Sequence, residues 1–340
     1  MPPEAASATA GVAISDVLGV KERSPLQRLF SSQAFWVTIA VALIMVIMSA
    51  IYPTAYATSA NLYNITRNFS FIGIMALGMT AVIITGGIDL SVGSIMGVVG
   101  IVVGVLMHAN FHWIVAVAGG LLAGAACGAI NGVLITYVGL PSFVVTLGTL
   151  QAFRSVAVIL SQNKMIYQFG PWGNQFFNIF GSSILGIDVM TWVLLVMAIG
   201  FALVLHFTQW GRHLFAVGGN EHAAQLTGVP VNRVKMLAYM ASALTAAIAA
   251  IFVLGWQGSA INALGTGYEL RVIAATVIGG ANLMGGEGGA YGAFIGAALI
   301  EVIRNSLVMA GVDSNYQGIF VGAFIVLAVL LERIRGRKRE

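Results

Sequence analysis

Val189-Met-Thr-Trp-Val-Leu-Leu-Val-Met-Ala-Ile-Gly-Phe-Ala-Leu-Val-Leu-His-Phe207 contains no Asp, Glu, Lys or Arg and is apolar on every face. Its length is close to the ~20 residues that carry a helix across a bilayer. A membrane-barrel strand would alternate polar and apolar positions over about ten residues, and this run does not, so the segment reads as a transmembrane helix. The stretch 35–51 has the same character. Both sit in a chain of 340 residues that is 59 % apolar and 8 % charged, against about 25 % charge in a soluble domain. With a mean hydropathy of +0.93, a soluble globular fold and a disordered chain are both excluded. The single cysteine, Cys127, excludes a disulfide-built secreted domain.

Within hydrocarbon every backbone N–H and C=O needs an internal partner, which leaves helices for this sequence. The expected fold is all-α and polytopic, with about ten spans at 34–51, 65–85, 91–108, 112–137, 142–161, 187–207, 235–257, 268–281, 289–310 and 315–332. Residues 1–33 form a leader, 34–332 one transmembrane domain with a loop at 208–234, and 333–340 a basic tail. An even span count puts both termini on one side. That side then gathers Lys21, Arg23, Arg28, Arg212, Arg233, Lys235 and the basic tail, against Arg67, Lys164 and Arg271 opposite. By the positive-inside rule both termini are cytoplasmic. The same asymmetry accounts for the basic pI, so no nucleic-acid partner is implied. No cleavable signal peptide precedes the first span.

No lysine follows a glycine in phosphate-loop fashion, and neither a metal-ligand cluster nor a nucleophile with its base can be assembled from neighbouring sequence. The chain reads as a non-enzyme without cofactor or metal. Three polar features stand out instead. In the 208–234 loop, Gly218 and Gly219 break the chain, Asn220 can cap, and Glu221 to Leu226, including Ala223 and Ala224, suits a short helix stopped by Gly228 and Pro230. Such a helix fits either docking into another protein or an ordinary turn. Next, Thr85-Gly-Gly-Ile-Asp-Leu-Ser-Val-Gly93 and Ile278-Gly-Gly-Ala-Asn-Leu-Met-Gly-Gly-Glu-Gly288 interrupt apolar runs in the two halves. Paired interruptions point to a solute pathway, offering Asp89, Ser91 and Asn282, or else are tight surface turns. Last come polar residues inside spans: Asn131, Gln151, Arg154, Glu301, Arg304 and Asn305. Glu301 and Arg304 can pair at i,i+3. Arg154 has no local partner, which leaves a pathway role or snorkelling. Small-residue stripes at Gly119, Gly120, Gly124 and Gly128, and at Gly292 and Gly296, allow close helix packing within one subunit or between two.

Gly86 to Gly93, Leu140-Pro-Ser-Phe-Val-Val-Thr-Leu-Gly148, Phe215-Ala-Val-Gly-Gly-Asn220, Gly267-Tyr-Glu-Leu270 and Ile278-Gly-Gly280 together resemble the ribose-type permeases of bacterial ATP-binding-cassette importers, over about residues 61–331. Arg271, Glu287 and Arg304 depart from that pattern in charge. The resemblance implies a type II importer-like fold in the bacterial inner membrane and import of a monosaccharide. It implies a separate ATPase subunit, a periplasmic sugar-binding protein and a second permease copy, identical or related. Gly218, Gly219, Asn220, Glu221, Ala223, Ala224 and Gly228 would then form the coupling segment. Asp89, Ser91, Asn131, Arg154 and Asn282 would line the pathway. The competing expectation is an ion-coupled secondary transporter using Asp89 and Glu301.

Overall fold

The computed structural model describes residues 32–313 together with 316, 318–320, 322 and 323. In chain order the helices are α1 (Gln33–Ile51), α2 (Ser59–Ile84), α3 (Val92–His108), α4 (Trp113–Thr136), α5 (Ser142–Leu160), α6 (Gly173–Phe180), α7 (Val189–Phe207), α8 (Gln209–Gly219), α9 (Glu221–Leu226), α10 (Val231–Gln257), α11 (Tyr268–Ile278) and α12 (Ala290–Met309). A two-residue hairpin, β1 (Ser183–Ile184) with β2 (Ile187–Asp188), precedes α7. The protein is an all-α polytopic membrane fold. Among the described residues seven helices are long and apolar enough to cross a bilayer, namely α1, α2, α4, α5, α7, α10 and α12, and α3 is apolar but shorter at 17 residues.

The expected spans fall on these helices with one correction. The segment 268–281 was expected to cross, but α11 has 11 residues, about 16 Å of rise, roughly half the hydrocarbon thickness. It starts after a non-helical stretch at 258–267 and stops where Gly279 packs backbone to backbone on Gly292 of α12. The tenth expected span, the basic tail and nearly all of the leader lie outside the described residues.

Helices α2 and α10 form the centre and are buried along most of their length, whereas α1, α4, α5 and α7 expose broad apolar faces. Val46, Val196 and Phe207 stand out from such faces. That inversion of the usual surface is what lipid permits: outside the bundle the solvent is as apolar as the core, so helix association relies on close packing and polar contacts. The glycine stripes do this within the subunit. A Cβ at Gly124 would lie 2.7 Å from the Cβ of Ala247, and one at Gly128 2.9 Å from the Cα of Met240, both on α10. Gly120 faces Val103 of α3, and Gly296 meets the backbone of Ala275 in α11. Polar contacts finish the core. Asn61 of α2 and Asn305 of α12 exchange two hydrogen bonds, and Arg304 grips the buried Glu301 through two nitrogens, as their spacing suggested.

The bundle has two ends. One carries α8 and α9; the other carries the segment from Ser161 to Asp188, with α6 and the hairpin.

Gly128→Leu forces a side chain into the α10 backbone, so its melting temperature in detergent should fall, at a cost of about 1–3 kcal/mol. Gly200→Leu on α7, where no atom lies within 4 Å of an added Cβ, should leave the melt unchanged.

Candidate functional site

Helix α2 ends at Ile84, and the chain turns through Gly86 at φ +76°, a conformation that glycine adopts without strain. Gly87 has no room for a side chain, because the hydroxyl of Tyr239 occupies that space. Residues 88–91 then run into the interior, where Asp89 is wholly buried. Its Oδ1 accepts from the Ser91 amide at 3.0 Å and the Ser91 hydroxyl at 2.6 Å, and its Oδ2 accepts from Ser242 of α10 at 2.9 Å. Asn131 of α4 donates to the Ser91 hydroxyl at 2.7 Å. Burying a carboxyl group is costly, and these three donors offset part of that cost. Ser242 stands eleven residues into α10, about 16 Å of rise from that helix's start, so Asp89 lies inside the bundle and not at its end.

The second interruption, at 279–289, lies at the α8–α9 end. There Asn282 spends its carboxamide on the turn itself, its Oδ1 accepting from the amide of Met284 at 2.9 Å, while Met284 projects into the surroundings. The two interrupted segments meet. The amide of Gly286 donates to the carbonyl of Ile84 at 2.9 Å. Gly218 of α8 closes on both, for a Cβ there would collide with the Ile84 carbonyl and the Gly286 amide. A Cβ on Gly285 would in turn lie 3.1 Å from the amide nitrogen of Gly86. Gly218 and Gly219 were expected to break the chain, but α8 continues through both and ends only at Asn220. The reason for glycine at 218 is backbone contact, not a turn.

Beyond that joint, Asn220 caps α9 as its sequence suggested, accepting from the amide of Ala223 at 2.9 Å. Glu221 pairs with Lys235 of α10 at 2.5 Å. Only Ala224 of α9 is buried; Leu226 is 77 % exposed, and nothing lies within 4 Å of a Cβ added at Gly219 or Gly228. Ala224 thus seats α9 on the bundle, in an apolar cluster with Leu214, Val217 and Val231, and the other residues of the helix face outward.

Arg154 of α5 points inward rather than snorkelling. Its Nη1 donates to the carbonyls of Asn262 and Leu264, both at 2.7 Å, in the non-helical 258–267 stretch. Gly97 of α3 leaves space for that guanidinium, 2.9 Å from an added Cβ. Glu269 follows closely, accepting from the Gly267 amide at the positive start of α11. The outward face of α5 presents Gly148, Gln151, Ala152 and Ser155 among exposed apolar residues.

Residues 61–329 match the family described as the branched-chain amino acid transport system permease component. The ribose import permease of Escherichia coli strain K12 is 37 % identical over 295 residues, 86 % of this chain and 92 % of that protein. The ribose import permease of Bacillus subtilis strain 168 is 37 % identical over 291 residues, 85 % and 90 % of the two chains, and the D-allose transport system permease of Escherichia coli K12 is 32 % identical over 320, 93 % and 97 %. No solved structure matches. The chain belongs to this permease family, on its ribose-type branch.

In this permease the structure brings Asp89, Ser91 and Asn131 into one network and leaves Arg154 and Asn282 apart from it and from each other. Ser242 and Tyr239 carried no sequence signal, since each is one more polar residue in an apolar helix. Glu269 did carry one, an acid just after a glycine that begins a helix.

Asp89→Ala strands the hydroxyls of Ser91 and Ser242, so the detergent melting temperature should drop. Ser242→Ala should lower it less, and the double variant should fall short of the sum, since both changes remove one hydrogen bond. Additive losses would show that the network does not act as a unit.

Proposed function

We propose that this permease is the membrane subunit of an ATP-driven importer in the bacterial inner membrane, passing a monosaccharide handed over by a periplasmic binding protein. The observation that carries the reading is α9, a short capped helix seated on one end of the bundle through Ala224, with its other residues exposed, and joined through α8 to both interrupted segments. A helix so placed suits a cleft in a separate ATPase subunit, with Leu226 as the apolar anchor and Gly219, Ala223 and Gly228 leaving the approach open. The α8–α9 end is then cytoplasmic, in keeping with Arg212, Arg233 and Lys235 clustered there, and both termini lie on that side. ATP hydrolysis belongs to the partner. The relatives' names, two ribose permeases and an allose permease, support a sugar as cargo.

The pathway is assigned to the outward face of α5 against a second permease copy. An amide and a hydroxyl at mid-span, Gln151 and Ser155, are costly toward lipid and are expected to face a protein interior or a water-filled route. Asp89, Ser91 and Asn131 serve this route from behind, fixing the turn between α2 and α3, and Arg154 does so by bonding the 258–267 backbone. Movement of α9 by the ATPase would pass through the glycine joint to these supports.

Leu226→Asp should abolish co-purification of the ATPase subunit and ATP-dependent uptake while leaving the melting temperature unchanged; normal complex formation would sink the docking role. Gln151→Leu should reduce uptake at unchanged expression and melting temperature. Parallel loss of all three would instead mark Gln151 as structural.

A further inference from the structure

A polar cavity of about 350 Å³ opens at the α9 end, between the 85–87 turn, the end of α4, the start of α5, and helices α9 and α10. Small-molecule sites begin at about 300 Å³, so the space suits a small solute. It lies at the α9 end of the bundle, and Gln151 and Ser155 of α5 do not line it. Thr136, Ser142 and Asn232 line it, and the Glu221–Lys235 ion pair stands at its side. Tyr239 reaches its floor. The residue is 1 % exposed, and its hydroxyl lies against Gly87 and beside the Ser142 hydroxyl, both on lining residues, yet makes no hydrogen bond of normal geometry among the described residues. A buried hydroxyl left unpaired is costly and is completed by a ligand or by water.

The lining restricts what fits. One carboxylate and one ammonium cancel, so neither an anion such as phosphate nor a bare cation is favoured. Hydroxyls, an amide and glycine backbone supply donors and acceptors in close array, and Ile135, Leu140 and Pro141 supply the smaller, apolar part of the wall. We propose that this cleft is a binding site for a neutral monosaccharide, held between Tyr239, Ser142 and the Glu221–Lys235 pair. The sugar class rests on the importer reading, as does placing the cleft on the delivery face of the membrane. Weak binding is expected, since a transported solute has to leave again.

The test uses the full-length permease alone in lipid nanodiscs, with saturation-transfer NMR on D-ribose and D-allose at millimolar concentration. At least one sugar should bind the wild type, and Tyr239→Phe, which removes only the hydroxyl, should weaken it about tenfold, as the loss of one buried hydrogen bond predicts. Ser142→Ala should weaken it in the same direction, and the lipid-facing Val196→Ala should not. Melting temperatures equal to the wild type show that the variants are folded. Absence of binding to both sugars, or binding by folded Tyr239→Phe equal to the wild type, would overturn the site. The importer reading fails separately, if the permease reconstituted with its ATPase and binding protein takes up neither sugar on addition of ATP.

Discussion

A peptide group inside hydrocarbon has no water to bond, so any interruption of a helix at depth needs partners supplied by the protein itself. Two irregular segments that enter the bundle, at 85–91 and 258–267, are each served by an ionisable side chain. Asp89 accepts from the amide and hydroxyl of Ser91 and from Ser242, and Arg154 donates to the carbonyls of Asn262 and Leu264. The groups follow from the need: an amide and two hydroxyls call for acceptor oxygens, and stranded carbonyls for donor nitrogens. Polar side chains here are an internal solvent for irregular backbone.

The second requirement is close approach. Helix α10 can serve as a common column for α2, α3 and α4 because glycine or alanine stands wherever backbones meet. The same device recurs at one end, where Gly218, Gly285 and Gly286 bring α8 and both interrupted segments into backbone contact. Side chains would cushion such a joint; bare backbone makes it stiff. In the proposed transport cycle that stiffness is useful, because a displacement of α9 reaches the turn above Asp89 without being absorbed by rotamer changes.

Much of this was legible in the sequence, and the rest divides by a simple rule. Local patterns were readable: apolar runs as spans, Asn220 with Glu221 as a helix start, Glu301 with Arg304 as an i,i+3 pair. Patterns whose meaning lies in a distant partner were not. Ser242 is 153 residues from Asp89, and Asn262 is 108 from Arg154. The end of α11 depends on a distant partner for the same reason, since the helix stops at the contact between Gly279 and Gly292.

Composition and periodicity by themselves determined that the chain lives in a bilayer as a helical bundle, because solvent quality acts on every residue and leaves its mark along the whole sequence. Motif order determined the family. Only the tertiary structure decided that Asp89 lies inside the bundle and Asn282 near an end, that Gly218 is a contact and not a break, and that the glycine stripes seal one subunit. Those outcomes depend on which backbones touch, and a contact between residues a hundred positions apart is a property of the packed bundle.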